Sequence, residues 1–492
     1  MRVAGTQGRS RSASWVWILA ALAVAATSVG IVHHASLSRV RKRAAAEPVR
    51  PIAWVEIDRN HSGKAKGDSA ERSDAWRAAA AALGRNVEVV SVSGLGEIPA
   101  RSFSAWLLVD ETLLDDADFA ALDSYLSLGG GAILAGRSGE KAGAGRAALE
   151  RLFPGHRFAE VGAGAGRLRV TGTSPLVAGL PTGTELDVDA VSHALAASSG
   201  DALVWGGHAG GAALHLIYRG GAVAWLGVSP AQLSESPQAR VLAENALSWA
   251  LREPVLDLRA WPEGRPCAVL IERTSHSDSK QPKCRLESGR TDPELLRGLA
   301  NAGCRYASVP PEDRALPALY EVDGAPLVAI PEGRADASAQ GSALMRELLA
   351  GYDRAEKLGG VYSLRADPGW RAAAGRQQLY TRVSHELRER GAGFAEPDEL
   401  AEWWSARSAV HAELAVLARD RVRVRFTNPG SAEATGVTAR VYLPGGADTA
   451  RVEKAPRFRA APRLRIAADH AWIEVIAPSL DPGAEVSYTI RF

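Results

Sequence analysis

Residues 267–276 read Cys-Ala-Val-Leu-Ile-Glu-Arg-Thr-Ser-His, and this stretch decides how the middle of the chain is interpreted. Its apolar part is short, and the charged residues Glu272 and Arg273 follow it directly. A short apolar run of this kind is typical of a buried strand in a parallel sheet. The sequence therefore predicts a buried strand that ends at two charged side chains.

Together with Arg285 and the run Glu-Trp-Trp-Ser-Ala-Arg at 402–407, the stretch resembles the polysaccharide deacetylases. In that family the first strand usually ends Phe-Asp-Asp-Gly, where one Asp is the general base and the next binds the metal that activates water. Glu272 and Arg273 stand in these two places. Arg carries a fixed positive charge and no lone pair, so it repels a cation. The resemblance therefore implies a fold whose metal site has been lost, with no metal and no other cofactor.

The resemblance also supplies the other site candidates. In the family, the Arg that matches Arg285 orients the catalytic Asp, so here Arg285 is expected to pair with Glu272. Asp367 stands where the family commonly has His, and His276 stands alone because the family's His-x-x-x-His pair is missing. We therefore predict no catalytic residue and four ligand-binding residues, Glu272, His276, Arg285 and Asp367. An internal salt bridge in a vestigial site is the alternative.

The chain of 492 residues is too long for one ordinary hydrophobic core and predicts about three domains. The predicted fold is multidomain α/β plus β: a membrane anchor with a basic linker (1–50), a doubly wound flavodoxin-like α/β domain (51–255), a deacetylase-like (β/α) barrel (262–408) and a β-sandwich (410–492). A complete eight-stranded barrel takes roughly 200 residues or more, so the third region is expected to be a trimmed or open barrel.

The anchor prediction rests on residues 15–32, which contain no charged side chain and as a helix nearly cross a hydrocarbon core. A cleaved signal peptide is the alternative, although its apolar region is typically shorter. Basic residues flank the segment on both sides, and more of them follow it, which by the positive-inside rule alone favours a cytoplasmic location for the rest of the chain. The deacetylase resemblance implies the extracytoplasmic side, which we favour.

Apolar runs that alternate with helical segments predict the parallel sheet of region 51–255. Asp115 or Asp116 is expected to cap a helix that ends near Gly129. The order of elements, with the runs at 125–136 and 245–250, resembles the class I glutamine amidotransferase-like fold.

Enzymes with that fold carry a Cys nucleophile on a strand-to-helix turn and a later His-Pro-Glu. This region has no Cys: its turn reads Gly-Arg-Ser-Gly at 136–139, and Ser229 and Ala231 occupy the places of His and Glu. A binding or scaffolding unit is favoured, and a hydrolase or amidotransferase with Ser138 as nucleophile is an alternative.

After residue 410 the helical period gives way to strict alternation. Val422, Val424 and Phe426 alternate with arginines, and turn residues such as Asn-Pro-Gly at 428–430 separate the apolar runs. This pattern predicts an immunoglobulin-like or fibronectin-like β-sandwich.

Composition excludes several other classes. A formal net charge of +2 predicts no polyanion partner, and the chain has neither a phosphate-binding loop nor a basic aromatic patch for nucleic acid. The three cysteines, Cys267, Cys284 and Cys304, lack CxxC spacing, which argues against structural zinc. Buried unpaired thiols are favoured, and a bridge between Cys267 and Cys284 is left open.

The sequence thus favours a membrane-anchored envelope protein that binds a glycan or a protein partner without catalysis. The first alternative is an active carbohydrate deacetylase or related hydrolase with Glu272 as general base. The second is the Ser138 hydrolase or amidotransferase described above.

Overall fold

A computed structural model describes residues 50–57, 68–109, 114–136, 149–161, 166–188, 194–200, 202–206, 210–228, 233, 236–270, 284, 293–309, 316–322, 325–331, 333–334, 341–364, 376–456 and 460–492. By its contacts the chain divides into residues 1–49 and residues 50–492, and every described residue belongs to the second unit. Among these residues, none of the helices combines the length and apolar character needed to span a bilayer. The predicted anchor at 15–32 lies outside them.

The N-terminal region is built on a six-stranded sheet with several short strands beside it. Its strands are β1 (Ile52–Ile57), β2 (Val87–Val92), β3 (Ala105–Leu108), β4 (Gly131–Ala135), β5 (Phe158–Val161), β6 (Arg167–Val170), β7 (Glu185–Asp187), β8 (Ala194–Ala197), β9 (Leu203–Trp205), β10 (Ala213–Tyr218) and β11 (Gly221–Leu226). The main sheet has the order β10-β11-β4-β3-β1-β2, and only the β10–β11 pair in it is antiparallel. The parallel part follows the flavodoxin-like order, as predicted.

Helices cover both faces of this sheet: α1 (Asp68–Ala82), α2 (Asp116–Ser127) and α3 (Pro237–Ala250). Neighbouring residues of β3 face opposite cores, since Leu107 packs with Trp76 of α1, whereas Trp106 packs with Phe119 of α2. The central strands β3, β4 and β11 are therefore buried on both sides, which explains why they are apolar throughout.

The predicted start and end of helix α2 are confirmed. Asp115 is the N-cap of α2: its carboxylate accepts a hydrogen bond from the backbone N–H of Asp118, and the carboxylate of Asp118 accepts one from the N–H of Asp115. Gly129 follows the helix with φ of +85°. At the start of β4, a side chain on Gly131 would put its Cβ 1.8 Å from the carbonyl oxygen of Ala250, so only glycine lets α3 pack this closely.

The rest of the chain contains the middle region and the C-terminal region. The strands up to residue 395 are β12 (Val255–Leu258), β13 (Ala268–Leu270), β14 (Tyr306–Val309), β15 (Ala318–Val322), β16 (Ala325–Pro331), β17 (Gly333–Arg334), β18 (Val361–Ser363) and β19 (Gly393–Ala395). The helices are α4 (Pro293–Asn301), α5 (Gly341–Leu358), α6 (Arg376–Glu389) and α7 (Pro397–Ser408).

The middle region has two sheets, with the orders β17-β18-β13-β19 and β14-β16-β15. Every pair in it is parallel except the β15–β16 hairpin, which the sequence analysis did not identify. Strand β17 begins two residues after β16 ends, so the chain passes directly from one sheet to the other. The parallel strands are β14 and β16 in the first sheet and β17, β18, β13 and β19 in the second. Within the described part of the chain, β14 and β19 are not paired with each other.

The C-terminal region is a β-sandwich, as predicted. Its remaining strands are β20 (His411–Ala418), β21 (Arg421–Thr427), β22 (Ala434–Thr435), β23 (Thr438–Tyr442), β24 (Arg451–Lys454), β25 (Arg463–Ile466), β26 (Trp472–Ile476), β27 (Ser479–Leu480) and β28 (Glu485–Arg491). Two antiparallel sheets, β12-β23-β26-β25 and β20-β21-β28-β24, enclose a core that contains Val424, Val441 and Tyr488. Strand β12 comes from the chain before the middle region, so the sandwich extends beyond the predicted range 410–492.

Candidate functional site

The four predicted ligand-binding residues, Glu272, His276, Arg285 and Asp367, lie outside the described residues, as does Arg273. The strands that precede them in the chain are described, and these strands fix where the segments with the predicted residues begin. Strand β13 leads towards residue 272 and strand β18 leads towards residue 367.

Strand β13 lies between β18 and β19, and all three strands run in the same direction. Leu270, the last residue of β13, is in register with Ser363 of β18 and with Ala395 of β19. The backbone N–H of Leu364 donates to the carbonyl oxygen of Leu270 at 2.9 Å. The carboxyl ends of the three strands therefore lie at one level, which is the edge where parallel α/β sheets bind ligands.

The amino ends of the same strands are tied to the chain that precedes β13. The indole N–H of Trp261 donates to the carbonyl oxygen of Gly359, just before β18, at 2.7 Å. The guanidinium of Arg265 donates to the carbonyl oxygen of Ala392, just before β19, at 3.1 Å. These bonds satisfy two backbone acceptors and tie the chain before β13 to the amino ends of β18 and β19.

The two faces of β13 are buried in different cores. Leu270 belongs to a cluster with Val328 and Trp404, from β16 and α7. Val269 belongs to a second cluster with Leu348 and Val383, from α5 and α6. The end of β13 is thus held from both sides by apolar packing, which gives the site a rigid base.

A buried serine hydroxyl at the end of β18 lacks a hydrogen bond. Ser363 is 4% exposed, and within the described structure its Oγ has no partner. Val361 packs into the cluster of Leu270, so strand alternation puts Ser363 on that same face. A buried hydroxyl without a partner costs about 1–3 kcal/mol, and such groups are uncommon unless water or a ligand binds them. Sequence reasoning did not identify Ser363, because a serine in an apolar strand carries no signal about its partners.

The thiol of Cys267 lies at the other end of β13 and on the opposite face. It is fully buried, as the sequence analysis favoured, and burial raises its pKa to about 12, against a smaller opposing effect of a hydrogen bond with Tyr352. The hydroxyl of Tyr352 donates to a carboxylate oxygen of Glu356 at 3.3 Å. A thiol that stays protonated and enclosed is a packing group and not a nucleophile.

The other two cysteines form a disulfide, Cys284–Cys304, across a sequence separation of 20. This corrects the sequence analysis, which favoured unpaired thiols and left open only a bridge between Cys267 and Cys284. The reason lies in the fold: Cys267 precedes β13 and points into the helix-covered core, whereas α4 leads the chain to Cys304 at the start of β14.

Ser138, Ser229 and Ala231 of the N-terminal region also lie outside the described residues. The strands that lead to them, β4 and β11, are parallel neighbours, with Ala135 in register with Leu226. The two chain segments that the amidotransferase resemblance compares with a catalytic triad therefore start from adjacent strand ends.

Within the ranges given above, groups of three or more His, Cys, Asp or Glu side chains that could bind a metal are absent. After β13 the sequence has Glu272, Arg273, His276 and Asp278, which lie outside the described residues.

Neither the known protein-family models nor the curated proteins include a match to this chain. Several solved structures are weakly similar. The exo-beta-1,4-mannosidase Op5Man5 from Opitutaceae bacterium strain TAV5 is 12% identical, with 45% of this chain and 39% of that chain covered and a TM-score of 0.30. The GH42 beta-galactosidase Gan42B from G. stearothermophilus is 9% identical, with coverages of 91% and 41% and a TM-score of 0.27.

A putative ThuA-like protein from Bacteroides uniformis ATCC 8492 is 9% identical over 42% of this chain and 93% of that chain, with a TM-score of 0.28. The present chain spans about two fifths of the length of the two glycosidases. All these TM-scores lie far below 0.5, so they carry no argument about function.

Proposed function

We propose that the middle region binds a glycan without catalysis, at the carboxyl ends of β13 and β18. The proposed ligand contacts are Glu272, His276, Arg285 and Asp367. The observation that supports this most strongly is the register of β13 with β18, since it makes the chain segments that carry Glu272 and Asp367 start side by side.

The chemistry of these side chains suits a polar, uncharged ligand. Carboxylates accept hydrogen bonds from sugar hydroxyls, and guanidinium and imidazole groups donate to them. Arg285 offsets the charge of Glu272, so the pair binds a neutral sugar without a metal ion. The unpaired hydroxyl of Ser363 adds hydrogen-bonding capacity at the same strand ends. The resemblance to polysaccharide deacetylases supports a glycan over other polyols.

We further propose that residues 15–32 anchor the protein in a membrane and that the folded regions lie on the extracytoplasmic side. The full chain is then expected to stay with membranes in high salt and to be released by detergent, whereas a chain that starts at residue 50 stays in solution.

Binding is tested by titrating the full chain in detergent with a tetrasaccharide of β-1,4-linked N-acetylglucosamine. We expect Glu272→Gln and Arg285→Ala each to weaken binding about tenfold or more, because each removes a charged hydrogen-bonding group. Glu389→Gln is the matched control, since Glu389 is an exposed carboxylate of α6 that pairs with His385. This variant is expected to bind as the unaltered chain does.

Three results contradict the proposal. Release of acetate from the tetrasaccharide, together with stoichiometric zinc, identifies an active deacetylase with Glu272 as base. Lowered thermal stability with unchanged sugar binding identifies a vestigial internal salt bridge. Absence of sugar binding in the unaltered chain excludes this glycan and leaves a protein partner as the other ligand class.

A further inference from the structure

The parallel strands of the N-terminal sheet begin at one level. Residues at their starts are in register from strand to strand: Ile52, Val87, Ala105, Gly131 and Ala222. The loops and helix ends that lead into these strands therefore lie together along one side of the sheet, which we call the amino edge. The chain joins the fold at this edge, because Arg50 precedes β1 and its guanidinium donates to the carbonyl oxygen of Arg101, before β3, at 3.0 Å.

The turn between β20 and β21 of the sandwich lies towards the same edge. Strand β12 follows α3 in the chain and contacts β20. The guanidinium of Arg407, shortly before β20, donates to the carbonyl oxygen of Leu258, at the end of β12, at 2.7 Å. The far end of β20 therefore lies towards the start of β12 and the end of α3. In agreement, the pKa of Arg252, after α3, is lowered first by partial burial and second by the positive charge of Arg419 in the β20–β21 turn.

Exposed apolar side chains are concentrated on this part of the molecule. Leu128, which follows α2 at the amino edge, is 69% exposed, and Ile217, beside the β10–β11 turn, is 41% exposed. Val416 and Leu417, just before the β20–β21 turn, are 47% and 43% exposed. These are four of the seven large apolar side chains that are exposed in the described structure. Single exposed apolar residues are ordinary, whereas a concentration of them marks an interaction surface.

Arginines outnumber carboxylates on the same surface. Asp123 and Glu253 already form ion pairs with Arg219 and Arg85, at 2.7 Å and 2.6 Å. Three further arginines make no ion pair with the residues that the structure describes: Arg101, Arg252 and Arg419. Positive charge beside exposed apolar side chains is the combination that favours the interface of an anionic bilayer, where the cations approach the phosphates and the apolar groups enter the headgroup boundary.

We propose that the amino edge and the β20–β21 turn form one surface that docks on a bilayer of anionic phospholipid. The docking rests on the membrane anchor of the proposed function, because the chain that carries residues 15–32 joins the fold at Arg50, on this surface. A tethered surface meets lipid at a high effective concentration, so a weak contact is enough. The contact is largely electrostatic and is screened by salt, so a chain that starts at residue 50 is still expected to stay in solution in high salt.

The first test places a probe on the most exposed apolar residue. The variant Leu128→Cys is labelled with a nitrobenzoxadiazole group, since Cys267 is buried and the other two cysteines are bonded. The full chain is reconstituted into vesicles of phosphatidylcholine, with or without phosphatidylglycerol. With phosphatidylglycerol, we expect the emission to move to shorter wavelength and a nitroxide-headgroup lipid to quench it severalfold more strongly. Leu319→Cys, at an exposed position of β15, is the control and is expected to report water in both vesicles.

The second test removes the positive charge. In the labelled Leu128→Cys chain, Arg252→Glu with Arg419→Glu is expected to abolish the difference between the two vesicles, because each arginine near an anionic surface strengthens binding by roughly fivefold. The matched control is Arg346→Glu with Arg382→Glu, which reverses two exposed arginines of α5 and α6 and is expected to keep the difference. An unchanged signal in the Arg252 and Arg419 variant overturns the proposal.

Flotation of the full chain with the same vesicles separates the docking surface from the anchor. If the chain floats with neutral vesicles while position 128 reports water in the anionic ones, the anchor stands and the docking surface is overturned. If the chain floats only with anionic vesicles, and both added salt and the Arg252→Glu with Arg419→Glu variant release it, the docking surface stands and the anchor fails. Flotation with neither kind of vesicle overturns both.

Discussion

A buried carboxylate of the β-sandwich and a buried hydroxyl of the middle region differ in their hydrogen bonding. Glu474 of β26 is fully buried, and both of its oxygens are bound: Arg440 donates to Oε1 at 2.8 Å and Arg465 donates to Oε2 at 2.8 Å. Ser363 of β18 is almost as deeply buried, and its hydroxyl has no partner among the described residues. A buried polar group without a partner costs free energy, whereas one with all its hydrogen bonds avoids that cost.

A short turn before β13 packs against the buried carboxylate of Glu474. The turn of residues 262–264 packs on β26 so closely that a side chain on Gly264 would place its Cβ 2.4 Å from Oε2 of Glu474. In the same turn, a hydrogen bond from Arg463 lowers the pKa of Glu263, and Arg465 donates to its backbone carbonyl. In the sandwich, the buried charge of Glu474 is thus enclosed by its arginine partners and by this turn.

The largest expected effect comes from breaking this network. Glu474→Gln removes the negative charge but leaves the largely buried Arg440 beside it, so the free energy of unfolding is expected to fall by about 3–5 kcal/mol. The control is Glu413→Gln, because Glu413 pairs with Arg425 on the exposed face of the sandwich, at 2.6 Å. That change is expected to cost no more than about 1 kcal/mol. Urea denaturation measures both, and equal losses would mean that the buried pair contributes no more than a surface pair.

A smaller effect concerns the enclosed thiol of Cys267 and depends on pH. Burial raises its pKa to about 12, and Tyr352 and Glu356 of α5 are its titratable neighbours. The pKa of this thiol is higher in the folded chain than in the unfolded chain. The stabilisation that the buried, protonated thiol contributes is therefore fully present below the ordinary thiol pKa of about 8.5, and it is lost as the pH rises from there towards 12.

The free energy of unfolding is therefore expected to fall above pH ~8.5 by up to about 1.4 kcal/mol per pH unit. Cys267→Ala is the control, since this variant has no thiol to ionise and should lack that part of the slope. Denaturant titrations at a series of pH values from neutral to alkaline measure the difference. Identical slopes in the two proteins would contradict the assignment of this pH dependence to Cys267.

The sequence predicted those features that depend on neighbouring residues. The alternation of Val422, Val424 and Phe426 places three side chains in the sandwich core, and Asp115 caps α2 as expected. Both patterns are local, because strand period and capping need only a few consecutive residues.

The features that the sequence analysis missed depend on distant partners. The short strand β12, residues 255–258, joins the sandwich because its edge pairs with Thr438–Tyr442, nearly two hundred positions later. The pairing of Cys284 with Cys304 depends on α4 returning the chain to the start of β14. The open hydroxyl of Ser363 is likewise a property of its surroundings, and no residue pattern encodes a missing partner.

The smallest effect on stability, and the sharpest test of the comparison, comes from two serines. Ser363 and Ser384 are 4% and 5% exposed, and the Oγ of each lacks a partner within the described residues. Removing a buried hydroxyl that makes no hydrogen bond is nearly neutral or stabilising, so Ser363→Ala and Ser384→Ala are each expected to change the free energy of unfolding by less than about 1 kcal/mol.

Binding of the N-acetylglucosamine tetrasaccharide should distinguish the two variants. Ser384 lies on α6, on the helical side of the sheet, whereas Ser363 ends β18 beside Leu270. We therefore expect Ser363→Ala to weaken binding severalfold and Ser384→Ala to leave it unchanged, as measured by calorimetric titration. Equal binding by both variants would show that the open hydroxyl of Ser363 is a packing defect like that of Ser384. A stability loss confined to Ser363→Ala would show instead that its hydroxyl is held by buried water, and the contrast with Glu474 would then disappear.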